Sequence, residues 1–202
     1  NEVTLRILRK SEELFLRHGF SRITVEEIAR ELEMSKKTIY KYFRNKKTII
    51  REVIKWNQAE IMNRVDHVLL QKDTDFIEKL KSILQVLTSF LSKISETFVT
   101  DLKRHNPEIW NLINEFKKKK SFKRIKRILK EGMEKGIIRA DIDPQLIILI
   151  YFHIVEHLFI PENLYELSYS SKDIFEAVMK IIYGGILTES GRRSFLDGGS
   201  DE

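Results

Sequence analysis

Apolar residues recur at intervals of three and four along almost the whole chain, a spacing that predicts an all-α protein. Three prolines and eight glycines are all that punctuate 202 residues, and they fall between the periodic segments. Over residues 3–18, Ile7, Leu8, Leu14 and Phe15 share a face with Ser11, and Gly19 is a stop signal. The next helix opens with a capping box, Thr24 as the cap and Glu27 three residues on, with Ile23 and Ile28 spaced as a hydrophobic staple. Its inward residues are Ile28, Ala29 and Leu32. A third short helix starts at the cap Ser35 and turns Ile39 and Phe43 inward, four residues apart. A fourth begins at Asn45-Lys46 and continues to about residue 70 through Ile49, Ile50, Val53 and Ile54. No linker interrupts it, so a small N-terminal unit is expected to join the rest through a continuous helix.

Beyond it, a fifth helix is expected over 75–99, with Ile83, Leu84, Leu87, Phe90, Leu91 and Ile94 as its stripe. Asn106-Pro107 starts a helical stretch that Gly136 ends, and the pattern leaves open whether 107–135 is one helix or two. Asp143-Pro144 starts another, to about residue 159, and the last runs over 171–188. The tail from 191 to 202 is polar and glycine-bearing and is expected to fray. The expected organisation is about nine helices: a three-helix unit over 1–48, a larger helical unit over 49–190 and a tail over 191–202.

Charge separates the two units. Residues 1–55 carry 14 basic and 8 acidic side chains, a net of +6, whereas the remainder carries 22 of each sign. The entire formal charge therefore lies at one end, and a polyanion is the natural partner there. An apolar fraction of 42% fits a globular chain. The absence of cysteine excludes disulfides and thiolate metal sites. The first residues show no basic run followed by an apolar stretch, and the longest apolar run, 146–152, is far short of a membrane span. A cytoplasmic protein that neither crosses nor anchors to a membrane is expected, with no cofactor.

Two short amphipathic helices with a tight turn between them, the second cationic and aromatic on its outer face, form a helix-turn-helix suited to a DNA groove. Lys36, Lys37 and Thr38 fill the first turn of the second helix, the end that enters the major groove in this geometry. A lysine there can donate to guanine O6 or N7, and the Thr38 methyl can meet a thymine methyl. Tyr40 is placed to donate to phosphate, and Tyr42 to phosphate or a base edge. The capped helix starts at Thr24 and Ser35 are natural phosphate sites, and Lys46 is assigned the same role at the next helix start. The alternative is a solvated basic helix with ordinary caps.

Residues 7–54 resemble the DNA-binding domain of the TetR family of bacterial transcriptional regulators. Phe15, Gly19, Thr24, Val25, Ile28, Ala29, Ser35, Thr38, Ile39, Tyr40, Tyr42, Phe43 and Lys46 carry the resemblance. Two positions depart from the family pattern: Glu33 stands at the turn position that is usually glycine, and Lys37 replaces a second frequent glycine. The resemblance implies a ligand-sensing and dimerisation region beyond residue 55, a two-fold dimer on palindromic DNA, and repression relieved by a small molecule. The rival reading is a regulator with a protein effector or none.

The resemblance also implies a cavity lined by Phe90, Ile94, Trp110, Ile113, Phe116 and Tyr151, with His153 or Tyr151 holding one polar group; a filled core is the alternative. The balanced charge beyond residue 55 favours an apolar or aromatic effector. Residues 146–158 are apolar almost all round and so need cover on every side. Ile147, Ile150 and Ile154, with Ile174, Val178, Ile181, Ile182 and Gly185, are assigned to a homodimer interface. His153, Glu156 and His157 match a zinc-peptidase pattern, giving a metal-dependent hydrolase as the distant alternative to ordinary helix histidines. The run 117–120 with Lys123, Arg124, Lys126 and Arg127 reads as a solvated helix face or a second surface for an anionic partner.

Overall fold

The computed structural model describes residues 2–158 and 169–197, without the side chains of 116–120, 155–158, 171, 196 and 197. Ten helices occupy the described residues: α1 Glu2–His18, α2 Val25–Glu31, α3 Lys36–Tyr42, α4 Lys46–Leu70, α5 Phe76–Leu91, α6 Glu96–His105, α7 Pro107–Glu134, α8 Pro144–Leu158, α9 Ser171–Ile186 and α10 Glu189–Asp197. The all-α expectation holds, and the fourth helix is continuous as its pattern requires. Residues 107–134 form one helix, with Gly136 (φ +68°) just beyond its end.

The expected single helix over 75–99 is instead two. Near its end the hydroxyls of Thr88, Ser89 and Ser92 donate to the carbonyls of Leu84, Val86 and Ser89, offering those carbonyls an alternative to the helical ladder. Ser95 then caps α6, its side chain accepting from the Phe98 N–H at 3.1 Å. The Ser95 N–H donates to the Leu16 carbonyl of α1 at 3.0 Å, so the break is also where the body grips the N-terminal unit.

The tail differs from expectation as well. Thr188 accepts from the Gly191 N–H and starts α10, so residues 189–197 are helical. The Phe195 ring packs edge-on against Tyr183 at 5.2 Å between centroids. An isolated antiparallel bridge, Ile138 to Leu187, pins the link after α7 to the end of α9.

Three buried clusters hold the helices together. The first contains Ile7, Phe15, Ile28, Ile39 and Ile50 of α1–α4, and also Phe98, Leu102 and Ile109 of α6 and α7. The second joins α5, α7, α8 and α9 through Phe76, Leu80, Leu129, Ile148 and Phe175. The third packs Val65, Val68 and Leu69 of α4 on Ile83 and Val86 of α5.

Part of the basic run on α7 has an internal use. Arg124 makes a two-pronged ion pair with Asp66 of α4, its Nε donating to Oδ1 at 2.7 Å, and Arg127 reaches the Leu69 carbonyl at 3.5 Å. Hydrogen bonding from Arg124 holds the Asp66 carboxyl below its ordinary pKa. Because the folded pKa is depressed, this stabilisation is present above the unfolded carboxylate value and is lost as pH falls through the folded one. Asp66→Asn should therefore cost about 0.5–1 kcal/mol at neutral pH, the range for a partly exposed pair. In urea unfolding the difference from the parent should shrink below about pH 4. A deficit that persists unchanged at pH 3 would contradict the assignment.

Candidate nucleic-acid interface

The N-terminal helices set the reading surface through local capping. Thr24 Oγ1 accepts from the Glu27 N–H at 3.1 Å and Glu27 Oε2 accepts from the Thr24 N–H at 2.6 Å, the reciprocal box. These hydrogen bonds from Thr24 hold the Glu27 carboxyl below its usual pKa. The chain leaves α2 through Glu33, whose φ is +53°. A side chain in this left-handed region costs roughly 1–2 kcal/mol, which explains why glycine suits the position. The Met34 N–H bonds back to the Ala29 carbonyl at 2.9 Å and closes the turn. Ser35 Oγ accepts from the Thr38 N–H at 3.0 Å and lies 2.8 Å from the Thr38 hydroxyl.

With Ile39 and Phe43 locked inside, the opposite face of α3 is fixed in space. Lys36, Lys37, Tyr40 and Tyr42 are exposed, with Tyr40 at 43%, and Thr38 is half-buried. Lys36 pairs with Glu26 of α2 and lies 5.7 Å from the centroid of the Tyr40 ring. Lys37, Tyr40 and Tyr42 are thus exposed around the outer side of α3, and Thr24 is exposed at the start of α2, which the Lys36–Glu26 pair ties to the start of α3. The surface offers cations, aromatic hydroxyls and a helix N-terminus together, a combination fitted to phosphate and base edges.

Lys46 belongs elsewhere. Its Nζ donates to the carbonyls of Phe20, Ser21 and Ile23 at 2.9, 3.2 and 2.8 Å, and sits 4.4 Å from the Phe20 ring centroid. An ammonium has three donors, and all three are engaged in tying α4 to the α1–α2 link. Burial lowers its pKa, with Asp101 and Glu27 opposing. Its assignment as a phosphate contact is corrected to an internal clamp.

Sequence reasoning missed the residues that seat this unit on the body. Asp101 of α6 accepts from the Ser21 N–H at 2.5 Å, and Asn106 Nδ2 donates to Ser21 Oγ at 3.4 Å. A Cβ on Gly19 (φ +87°) would lie 3.3 Å from both Asp101 and Thr97, so glycine permits this close seat. Lys47 pairs with Glu108 of α7 at 2.9 Å. In the sequence, Asp101 and Glu108 are two acids among many, with no spacing that marks them as contacts.

The expected ligand lining is dispersed. Trp110, Ile113 and Ile94 pack against the first cluster, next to the reading helices. Tyr151 packs in the second cluster, where burial raises its phenol to about 12. His153 is exposed on α8, and the Phe116 side chain lies outside the described residues. Phe90 and Ile94 do border cavities, of about 320 and 490 Å³, but these lie against α1 rather than among the other assigned residues.

The assigned dimer residues also separate. Ile150 (54% exposed), Ile181 (75%) and Gly185 face outward, as do Leu146 and Leu149, while Ile154, Ile174 and Ile182 are half-buried. Ile147 and Val178 are instead buried within the chain's own core. A helix apolar on all sides does not disclose which side its own chain covers. Of the zinc-like trio, Glu156 and His157 have side chains outside the described residues, as does the run 117–120.

A helix-turn-helix reading surface rigidly seated on an all-helical body defines a DNA-binding regulator. Residues 7–53 match the model for bacterial regulatory proteins of the tetR family, and residues 54–185 match that for the C-terminal region of YsiA-like proteins. The chain belongs to the TetR family of bacterial transcriptional regulators. It is 23% identical over 184 residues to the HTH-type transcriptional regulator YvaF of Bacillus subtilis, covering 91% of this chain and 95% of that one. It is also 23% identical to the fatty acid metabolism regulator protein of Bacillus subtilis, with 90% and 94% covered. Among solved structures, FadR of Bacillus halodurans superposes with a TM-score of 0.66 at 20% identity, covering 91% and 95% of the two chains. FadR of Bacillus subtilis, solved in complex with stearoyl-CoA, superposes with a TM-score of 0.64 at 22% identity, covering 90% and 98%. Among the described residues no helix is long and apolar enough to cross a membrane.

The corrected role of Lys46 has a measurable consequence. Lys46→Ala should lower stability by about 1–3 kcal/mol, because three carbonyls lose a charged donor. DNA affinity should fall while the slope of log K against log salt stays at its parental value, since no phosphate contact is removed. Unchanged stability with a slope reduced by about one would restore the phosphate assignment.

Proposed function

We propose that two copies of this chain bind a palindromic operator and repress transcription until a small, mostly apolar effector loosens them from DNA. The observation that carries the dimer is the outward apolar face of α8 and α9. Leu149, Ile150 and Ile181 are all more than half exposed, and the backbone of Gly184 and Gly185 lies open beside them. A symmetric packing of that face on itself covers it. It also supplies two reading helices for two half-sites.

Direct readout falls to Lys37 and Thr38 at the start of α3, while Tyr40, Tyr42 and the N-termini of α2 and α3 at Thr24 and Ser35 take phosphates. Lys36 stands beside them, held by Glu26. The reading helices share their core with α6 and α7, so a displacement in the body is transmitted to them. Effector action then requires only differential affinity for the two arrangements. The balanced charge of the body and its likeness to a FadR solved with stearoyl-CoA support an effector with a substantial apolar part.

Two variants test the reading. Binding-site selection with Lys37→Ala should return a flattened base preference at one position of each half-site, with binding still salt-dependent. An unaltered preference would remove Lys37 from the readout. Ile181→Glu should yield a folded monomer by sedimentation, because a dimer would bury an unpaired charge at a cost of several kcal/mol. It should also lose the palindrome while its reading surface is intact. A variant that remains dimeric would place the interface elsewhere. Val178 is unsuited to this test, since it is already 8% exposed within its own chain.

A further inference from the structure

The two cavities beside α1 meet at Glu12 and Lys93, which line both. Together they make a cleft along the flank of α1, bounded by α4, α5 and the α5–α6 break. At about 320 and 490 Å³ each has the size of a small-molecule site. The larger portion runs past Leu16, Ile94 and Ser95, where the body grips α1.

The lining is chemically divided. Trp56, Ile61 and Phe90 give the inner portion an apolar wall with two aromatic rings. Arg9, Arg64 and Lys93 stand around it and are exposed at the rim. Of the two acids there, Glu60 is exposed, and Glu12 is already engaged: burial, the largest influence, raises its pKa, Glu60 adds to that, and Lys93, a hydrogen bond with the buried Asn57, and Arg9 oppose it. Among the described residues neither arginine forms an ion pair. Two guanidinium forks at the edge of an aromatic wall suit an anion attached to a flat apolar body, because arginine accepts planar oxyanions in a bidentate manner.

We propose that this cleft between α1, α4 and α5 binds a small aromatic anion, held by Arg9 and Arg64 at its charged end and by Trp56 and Phe90 along its ring. The consequence for DNA rests on the regulatory reading above. A ligand here touches both α1 and the segment that pins α1 to α6, so it acts at the joint of the reading unit and the body.

Naphthalene-2-sulfonate is the probe, with 2-naphthalenemethanol as its neutral counterpart. The chain has two tryptophans, Trp56 and Trp110, so the full chain carrying Trp110→Phe reports the cleft through Trp56 emission alone. Titration calorimetry on the unaltered chain supplies the same affinity should that substitution unfold the protein. The expected result is saturable binding of one sulfonate per chain with a change in Trp56 emission. The neutral alcohol should bind at least tenfold more weakly, and Arg9→Gln/Arg64→Gln should weaken the sulfonate at least tenfold while leaving the melting curve cooperative. Equal binding of the two probes, an unmoved Trp56 signal, or full affinity in the double variant would overturn the proposal. These readouts need no DNA. A chain that binds the sulfonate as described but shows no change in operator affinity upholds the site and counts against the regulatory reading alone.

Discussion

The structure depends on a hydrophobic core that the reading helices do not own outright. Three short helices of this size bury too little apolar surface to be comfortably stable alone. Here Ile7, Phe15, Ile28, Ile39 and Ile50 are completed by Phe98, Leu102 and Ile109 from α6 and α7. Around that shared core the polar ties fall into place. Ser95 donates to the end of α1, Asp101 accepts from the turn that follows it, and Lys46 clamps the same turn from the α4 side. The orientation of α3, and with it the DNA-facing surface, is therefore set by contacts that reach into the body.

That constraint explains how an all-helical body with balanced charge can influence a basic reading surface. No flexible linker lies between them, since α4 runs unbroken from Lys46 to Leu70 and packs on α1, α5 and α7. Its far end is held by Asp66 to Arg124 and its near end by Lys47 to Glu108. Interactions of this kind between partly exposed groups are individually weak. Their value lies in fixing the angle at which α4 leaves the reading unit.

Local signals made the N-terminal half legible in the sequence. The Thr24–Glu27 capping box, the Ser35 cap, the Gly19 stop and the Ile39–Phe43 spacing depend on neighbours within four residues, and those features stand where the pattern puts them. The break at 92–95 was illegible because the apolar period runs straight through it, while the hydroxyls that loosen the helix leave no gap in that period. The role of Lys46 was illegible for a different reason. A lysine in a basic motif looks the same whether it faces phosphate or three carbonyls more than 20 residues earlier, and only tertiary packing decides. The cavity lining was illegible in the same way: the family resemblance grouped Trp110 and Tyr151, whereas they pack against different cores. On α8 and α9, nearly uniform apolarity hid the distinction between Ile147, which is inside, and Ile150, which is outside.

The shared core makes the reading unit and α6 one cooperative structure, through which the body can govern DNA affinity. Native-state hydrogen exchange tests it most directly. Leu102→Ala removes a fully buried side chain from the shared core, a change of about 2–5 kcal/mol. Protection of the α3 amides should fall together with that of α6, by the same free energy. Loss of protection confined to α6, with α3 exchanging as in the parent, would show instead that the reading unit stands by itself.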